Sequence, residues 1–244
     1  MLLAVTLDFW NTLFVDRGGR EREHRRAACI STELGAVGLY PAPAAIEEAL
    51  ADGFSYFEDV WRRESRTPAA AETVQVILSR LRTSVPDEIA GRIVDTFEHL
   101  LLDVPPDPVP SAQRVVCELA ATYRLGIISD TGYSPGWVLR ELLDQNGMLS
   151  PLSYLYFSNE QEASKPDPRA FRRTLAELGV RAAEAAHVGD MQRTDVAGAK
   201  AAGMWTVHFV GANSADATVS TADVLIRHFD ELPAALGSLS CAGC

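Results

Sequence analysis

Five polar residues lie at the ends of short apolar segments or just beyond them, where open α/β folds carry their chemistry. Asp8 ends the first apolar segment, Ser129 ends a second, and Asp190 ends a later one. Lys165 lies in a Pro-containing loop, and Asp195 follows Asp190 by five positions. Because the carboxyl ends of parallel strands lie at one edge of a sheet, we expect these five side chains to converge.

The predicted cluster suits a phosphoryl group together with a hard cation. Carboxylate oxygens are typical ligands of Mg²⁺, which takes one or two protein carboxylates and keeps several waters. A Ser hydroxyl and a Lys ammonium can hold the remaining phosphate oxygens. The residue types therefore predict phosphoryl chemistry at the sheet edge.

Each residue also has an ordinary structural interpretation. Asp8 could begin a turn, Ser129 could bond to nearby backbone, and Asp195 could favour a helix N-terminus. Asp167 is best explained as a helix N-cap before Pro168. Lys165 stands out, because the chain has only two lysines among its 22 basic residues. No single motif is decisive, but the order of all of them along the chain favours a phosphoryl-binding site at the sheet edge.

Strands and helices alternate from about residue 111 onward. Five apolar runs are predicted to be buried strands, and the segments between them carry apolar residues at helical spacing. The strand runs are 125–130, 154–158, 186–190, 205–210 and 223–226. This alternation predicts an α/β fold with a Rossmann-like parallel sheet and helices on both faces.

Residues 20 to 102 have a different pattern. Apolar residues recur at helical spacing, as in the series Ile46, Leu50, Phe54, Phe57 and Trp61, and no convincing strand is present. We therefore expect a discontinuous α/β core, 1–15 and 108–240, interrupted by a helical cap at 16–107. Residues 241–244 are expected to form a flexible tail. Gly18-Gly19 and the Pro-rich segment 105–110 are candidate hinges.

Composition excludes several function classes. The 244-residue chain is 47% hydrophobic and 23% charged, as expected for a soluble globular protein. Its formal net charge of -11 argues against general nucleic-acid binding, which needs clustered Lys and Arg. No apolar run approaches membrane-spanning length, and no signal sequence is evident. The expected location is the cytoplasm, and the sequence leaves the oligomeric state open.

The cysteines do not predict a metal or redox site. Cys29 and Cys117 are scattered, and Cys241 and Cys244 have CxxC spacing without a partner pair. Because Cys241 and Cys244 lie at the C-terminus, a frayed segment is expected there rather than a zinc or redox site.

Four segments together resemble the motifs of the haloacid dehalogenase (HAD) superfamily. They are Leu7–Leu13, Ile128–Asp130, Ser164–Pro168 and Gly189–Gly203, the last being the most specific. The resemblance covers the core, and the helical segment matches the family's cap in position and size. It implies that Asp8 is a nucleophile that forms an aspartyl-phosphate.

The same resemblance implies roles for the other motif residues. Asp8, Asp190 and the main-chain carbonyl of Trp10 would bind Mg²⁺, with Asp195 supporting from nearby. Ser129 and Lys165 would act in catalysis and hold a small phosphorylated substrate, with Trp10 and Asp130 lying against it.

The sequence departs from the phosphatase pattern at three positions. Family phosphatases carry a second Asp, the general acid and base, two residues after the nucleophile, whereas this chain has Trp10. An indole cannot serve as that acid. Asp130 replaces the usual Asn after Ser129 and adds a negative charge. Asn11 replaces a common Gly and tolerates the same left-handed backbone.

The leading hypothesis is therefore an Mg²⁺-dependent phosphohydrolase that is slow or favours good leaving groups. Without a general acid, turnover of a poor leaving group should fall roughly 10²–10⁴-fold. A cap residue such as His24 could instead supply the proton.

Other hypotheses remain open. A 2-haloacid dehalogenase would use Asp8 as a carbon nucleophile, with Arg62 and Arg63 receiving carboxylate or halide. Those enzymes resemble this chain at position 10 but work without metal, whereas crowded carboxylates favour a cation. A catalytically weak binding protein is a further alternative. The family's Schiff-base phosphonatase mechanism is excluded, because the predicted cap contains no lysine.

Overall fold

The computed structural model describes residues 1–161 and 163–242, with side chains described up to residue 239. Its centre is a six-stranded parallel sheet of order β5-β4-β1-β6-β7-β8. The strands are β1 (Ala4–Leu7), β4 (Arg124–Ser129), β5 (Leu152–Phe157), β6 (Ala185–Gly189), β7 (Trp205–Phe209) and β8 (Val224–Ile226). Strand β1 lies between β4 and β6, with Leu7 in register with Ile127 and Val188.

Alternate side chains of the sheet enter two hydrophobic clusters on opposite faces. Val5 and Leu7 belong to one cluster, which also contains residues of three helices: α5 (Ala112–Ala120), α6 (Gly136–Gln145) and α9 (Leu232–Ala242). Ala4 and Ile128 belong to the other cluster, together with residues of α7 (Pro168–Leu178) and α8 (Ala197–Ala201). Helices therefore cover both faces, which is why the central strands β1 and β6 are buried along their whole length. The predicted α/β fold with a Rossmann-like parallel sheet is confirmed.

Four helices lie in the sequence between β1 and β4. They are α1 (Gly19–Gly35), α2 (Pro43–Glu64), α3 (Ala70–Arg80) and α4 (Asp87–Asp103), and we call them the helical insertion. Their apolar faces form a core of their own, with Ile93 and Phe97 fully buried in it. That this insertion acts as a mobile cap stays a prediction.

A two-stranded antiparallel ribbon joins the insertion to the sheet. Strand β2 (Phe14–Val15) leads toward the insertion and pairs with β3 (Asp107–Pro108), which leads back from it. The buried guanidinium of Arg22 binds the Asp16 carboxylate and the Val104 carbonyl, and so ties the two connections together.

The described part of the chain ends in a helix. Helix α9 continues to Ala242, and the expected flexible tail at 241–244 stays a prediction. Cys244, the second cysteine of the CxxC pair, lies outside the described residues. No helix in the described ranges is both long enough and apolar enough to cross a membrane.

Candidate active site

The sheet edge brings together the acids that the sequence placed at strand ends. Asp8 follows β1 directly, and Asp190 follows β6, the strand beside it. Asp195 lies on a π-helical turn, Gln192–Val196, just beyond β6. All three side chains are buried, and one oxygen from each can be chosen so that they lie within 4.8 Å of one another.

Lys165 is the cation inside this cluster. Its ammonium donates to Asp8 Oδ1 at 2.6 Å and to Asp195 Oδ1 at 2.5 Å. The Lys165 side chain is only 3% exposed, so water screens these ion pairs little. Burial lowers the pKa of Lys165, but Asp195, Asp8 and Asp130 outweigh it and hold that pKa above its ordinary value.

The protein compensates the ionised forms of the two strand-end acids, Asp8 and Asp190, only weakly. Burial, and then repulsion from Asp195, raises the pKa of Asp190 to about 6, although Asn213 donates to its carboxylate at 2.7 Å. Burial also raises the pKa of Asp8 well above its ordinary value, against the opposing effect of Lys165. Ionisation of these two groups is thus only partly compensated by the protein.

Asp195 is the acid that the protein compensates fully. Its carboxylate accepts from Lys165, from His187 Nε2 at 3.1 Å, from the Met191 amide at 3.0 Å and from Thr194 Oγ1 at 3.2 Å. Burial opposes its ionisation, but Lys165 and His187 outweigh burial and hold the pKa of Asp195 below its ordinary value. A Cβ at Gly189 would overlap the Asp195 side chain, so glycine is required there.

The donor set fits a hard divalent cation. Three buried carboxylates face one ammonium, and burial lowers the pKa of His187, which favours its neutral form. When all three carboxyls are ionised, they carry two more negative charges than Lys165 neutralises, and oxygen ligands suit Mg²⁺. Asp8 and Asp190 have the least compensated oxygens, whereas the oxygens of Asp195 are taken by protein donors.

A cavity of about 210 Å³ opens above these acids. Asp8, Asp190 and Lys165 line its floor, and Trp10 lines its wall. Trp10 packs edge-on against the buried Phe9 ring, with centroids 5.1 Å apart. Asn11 has φ 53, the left-handed conformation expected of it, and this turn brings the indole beside Asp8.

Ser129 and Asp130 have separate positions at the end of β4. Ser129 is fully buried, and its hydroxyl donates to the Asp130 carbonyl at 3.3 Å. The described residues that line the cavity include Asp130, Thr131 and Gly132 but not Ser129. The local backbone bond considered for Ser129 is therefore present, and its catalytic role stays a prediction.

Asp130 connects the sheet edge to the helical insertion. One of its carboxylate oxygens accepts from the Lys165 amide at 2.9 Å, and the other accepts from Trp61 Nε1 on α2 at 2.8 Å. Burial raises the pKa of Asp130, against the opposing effects of Lys165 and Trp61. The Arg193 guanidinium stacks on the Trp61 ring, 4.3 Å from the ring centroid.

Several residues of the site were not predicted from the sequence. Phe57 and Trp61 belonged to an apolar series that predicted only a helix, and both line the cavity, as does Glu58. His24 is exposed and lines a separate groove between α1 and α2, so it does not face Asp8. Arg62 and Arg63, the candidate anion-binding residues, form i,i+4 ion pairs with Glu58 and Asp59. No sequence signal distinguished these positions, because helical spacing alone does not show which face meets the sheet edge.

Comparison with known proteins agrees with this architecture. A family model for haloacid dehalogenase-like hydrolases matches residues 2–203. The chain is 36% identical over 104 residues to a glyceraldehyde 3-phosphate phosphatase of Pyrococcus abyssi, a match that covers 41% of this chain and 42% of the relative. It is 38% identical over 106 residues to a phosphoglycolate phosphatase of Rhodospirillum rubrum, over 41% of this chain and 42% of the relative. The matched part thus spans less than half of these curated relatives.

Solved structures resemble the whole chain. A 2-haloacid dehalogenase from Pseudomonas syringae superposes with a TM-score of 0.72 at 23% identity, over 98% of this chain and 99% of that one. A HAD phosphatase from Thermococcus onnurineus superposes with a TM-score of 0.66 at 22% identity, over 97% and 98% of the two chains. At these identities the likeness shows the fold alone. The family model, which covers most of the chain, shows more: this protein belongs to the haloacid dehalogenase-like hydrolase family.

Proposed function

We propose that this hydrolase is an Mg²⁺-dependent phosphohydrolase that acts on a small phosphorylated metabolite through an aspartyl-phosphate on Asp8. The observation that carries the proposal is the charge balance at the sheet edge, where three buried carboxylates have one ammonium among them. A metal-free reaction would leave two buried negative charges beside an anionic substrate, which is electrostatically unfavourable. The matched relatives named as phosphatases support the same reaction class.

In the proposed reaction Asp8 is the nucleophile and Lys165 binds the phosphate. Asp8 attacks phosphorus, the bond from phosphorus to the leaving oxygen breaks, and that oxygen keeps the electron pair. Water then attacks phosphorus in the aspartyl-phosphate, which releases inorganic phosphate and regenerates the Asp8 carboxylate. Lys165 orients Asp8 and offers its ammonium to the phosphate oxygens, while Asp195 and His187 hold Lys165 in place.

Asp8, Asp190 and the main-chain carbonyl of Trp10 would hold Mg²⁺. When bound, the cation neutralises charge on the transferring phosphoryl group. Asp195 acts as a positioning residue in this arrangement, since its oxygens already accept from protein donors.

The leaving group has no carboxylic acid at position 10 to protonate it. Good leaving groups such as acyl phosphates need little protonation, so the proposed enzyme favours them. Two further carboxyls line the cavity, Glu58 of the helical insertion and Asp130 after β4. Glu58 is paired with Arg62 at 2.7 Å, so one of its oxygens already binds a guanidinium.

A 2-haloacid dehalogenase is the second candidate, and one observation favours it. The aromatic rings of Trp10, Phe57 and Trp61 line the cavity, and such a surface suits a carbon-bound halogen. In that reaction Asp8 would attack carbon and expel halide, and no metal would be required.

One assay set separates the candidates. Turnover of acetyl phosphate, p-nitrophenyl phosphate and ethyl phosphate is measured with Mg²⁺ or with EDTA, beside halide release from 2-chloropropionate. We expect Mg²⁺-dependent phosphate release, fastest for acetyl phosphate, and its loss in Asp8→Asn. Halide release in EDTA would replace this proposal with the dehalogenase. Absence of both reactions, together with no hydroxylamine-sensitive phosphate on Asp8, would favour the binding protein.

A further inference from the structure

A second cavity, of about 220 Å³, adjoins the first. Trp10 and Gly132 line both cavities, so the two cavities meet at these residues. Residues of helices α1, α2 and α4 and of the loop after β4 also line the second cavity, which we call the insertion cavity. A molecule whose reacting end lies at Asp8 therefore has space for its other end beyond Trp10.

Arg26 of α1 brings an uncompensated positive charge to the insertion cavity. Its guanidinium stacks on Tyr133, 4.4 Å from the ring centroid, and on Phe97, at 5.5 Å. It has no hydrogen bond or ion pair with any described residue, and its Nε is a buried donor without a partner. Burial lowers the pKa of Arg26, as expected for a desolvated cation that has no bonded acid. A buried, unpaired polar group is costly, and proteins normally satisfy it.

The other charges near this cavity do not satisfy Arg26. Asp16 is bound by the Arg22 guanidinium, which also donates to a backbone carbonyl. Glu23 lines the cavity but is exposed and makes no ion pair with Arg26. Arg25, the neighbour of Arg26 on α1, points elsewhere and binds Glu21 at 2.8 Å. Arg26 is thus the cation in this cavity that still has free donors.

We propose that Arg26 is the specificity-determining residue for the non-reacting end of the substrate, and that this end is a carboxylate. A guanidinium stacked on aromatic faces leaves its edge free, and a planar carboxylate fits that edge with two parallel hydrogen bonds. Asp16 and Glu23 in the same lining disfavour a dianionic phosphate more than a monoanionic carboxylate. The proposal rests on the proposed phosphohydrolase function, because it assigns the two ends of one substrate to the two cavities.

The test compares two matched series of phosphate esters. One series consists of ω-phosphonooxy carboxylates of increasing chain length, beginning with phosphoglycolate, and the other of n-alkyl phosphates of the same lengths. kcat/KM with Mg²⁺ is measured for the wild type, Arg26→Gln, Arg26→Lys and the control Arg25→Gln. At the best chain length we expect the wild type and Arg25→Gln to prefer the carboxylate by about 10- to 100-fold. Arg26→Gln should lose that preference with little change on alkyl phosphates, and Arg26→Lys should retain part of it.

Binding measurements keep the outcome independent of turnover. The same compounds are titrated calorimetrically into Asp8→Asn with and without the Arg26→Gln change. An Arg26-dependent preference for the carboxylate in binding, without turnover by the wild type, would reject the phosphohydrolase and keep the subsite. The subsite is rejected if the preference persists in Arg26→Gln or is absent from the wild type at every length. Equal losses on both series in Arg26→Gln would reject it too, because they mean that Arg26 only holds the insertion against Tyr133.

Discussion

Trp10 places an uncharged indole beside the buried acids of the sheet edge. The indole lines the cavity beside Asp8, the proposed nucleophile, whereas the proposed metal ligand at position 10 is the main-chain carbonyl. The charged part of the proposed reaction depends on Asp8, Lys165 and Asp190, none of which needs the side chain of residue 10. Proton supply is the function that the indole cannot perform.

Replacing Trp10 tests whether proton supply at position 10 is independent of the charged residues of the site. In Trp10→Asp the new carboxyl can protonate the leaving oxygen, so ethyl phosphate should turn over about 100-fold or more faster than in Trp10→Asn. The Asn variant is the matched control, because it loses the same packing against Phe9 but gains no acid. Acetyl phosphate should distinguish the two variants much less. Equal rates of the Asp and Asn variants on ethyl phosphate would mean that another group supplies the proton.

Lys165 is predicted to be essential for stability as well as for chemistry. In Lys165→Met, Asp8 and Asp195 lose their buried ammonium, which should lower the free energy of unfolding by about 3 to 5 kcal/mol. Lys200→Met is the control, since Lys200 is 38% exposed in its pair with Asp223 and should cost about 1 kcal/mol or less. Urea denaturation in EDTA measures both variants. Similar stabilities would show that the buried ion pairs do not compensate the two acids.

At the scale of elements, one contact connects α2 to the loop after β4. Trp61 donates to Asp130 and lies under the Arg193 guanidinium, so two core loops hold one residue of the insertion. Asp130 also accepts from the Lys165 amide and thereby joins this contact to the loop that carries Lys165. The acid that departs from the family's usual Asn at this position thus has a structural partner on the insertion.

Trp61→Phe removes the indole donor and keeps an aromatic ring. Asp130 then loses a hydrogen bond to its charged form, and we expect α2 to exchange its amide hydrogens faster and KM to rise about 10-fold. Trp205→Phe is the control, because Trp205 lies on β7 and donates its indole N–H to the Ala183 carbonyl at 3.2 Å, so an indole donor is lost outside the helical insertion. Exchange in α2 that matches this control would show that the Trp61–Asp130 bond does not hold the insertion.

For the whole molecule, we predict that Mg²⁺ stabilises the fold, because the three buried carboxylates of Asp8, Asp190 and Asp195 share only the Lys165 ammonium. At a concentration 100 times its dissociation constant, a ligand specific for the folded state adds about 2.7 kcal/mol, or a rise in Tm of roughly 5–10 °C for a chain of this size. Asp190→Asn should lose most of that rise. Asp59→Asn should keep it, because Asp59 is exposed on α2 and paired with Arg63.

Calorimetric scans at matched ionic strength measure this effect. A rise that Na⁺ reproduces would be general screening rather than binding. A rise that persists in Asp190→Asn would place the cation elsewhere.

Much of the architecture could be predicted from local sequence. Short apolar runs ending in Asp8, Ser129 and Asp190 determine a parallel sheet with those residues at one edge, because strand polarity alone puts them there. Asp167 caps α7 by accepting from the Arg169 amide, as the Asp-Pro pair predicted. These features depend on backbone geometry within a few residues, which is why the sequence determined them.

The tertiary structure decided the contacts that cross from the helical insertion to the sheet. Helical spacing placed Phe57, Trp61 and Arg26 on helices, but only the packing of the insertion shows that they face Asp130 and the two cavities. The pairing of Lys165 with two acids is equally nonlocal, because it joins positions 157 and 30 residues apart in the chain. Periodicity records which residues share a face of an element, whereas the partner of that face is set by how all elements pack together.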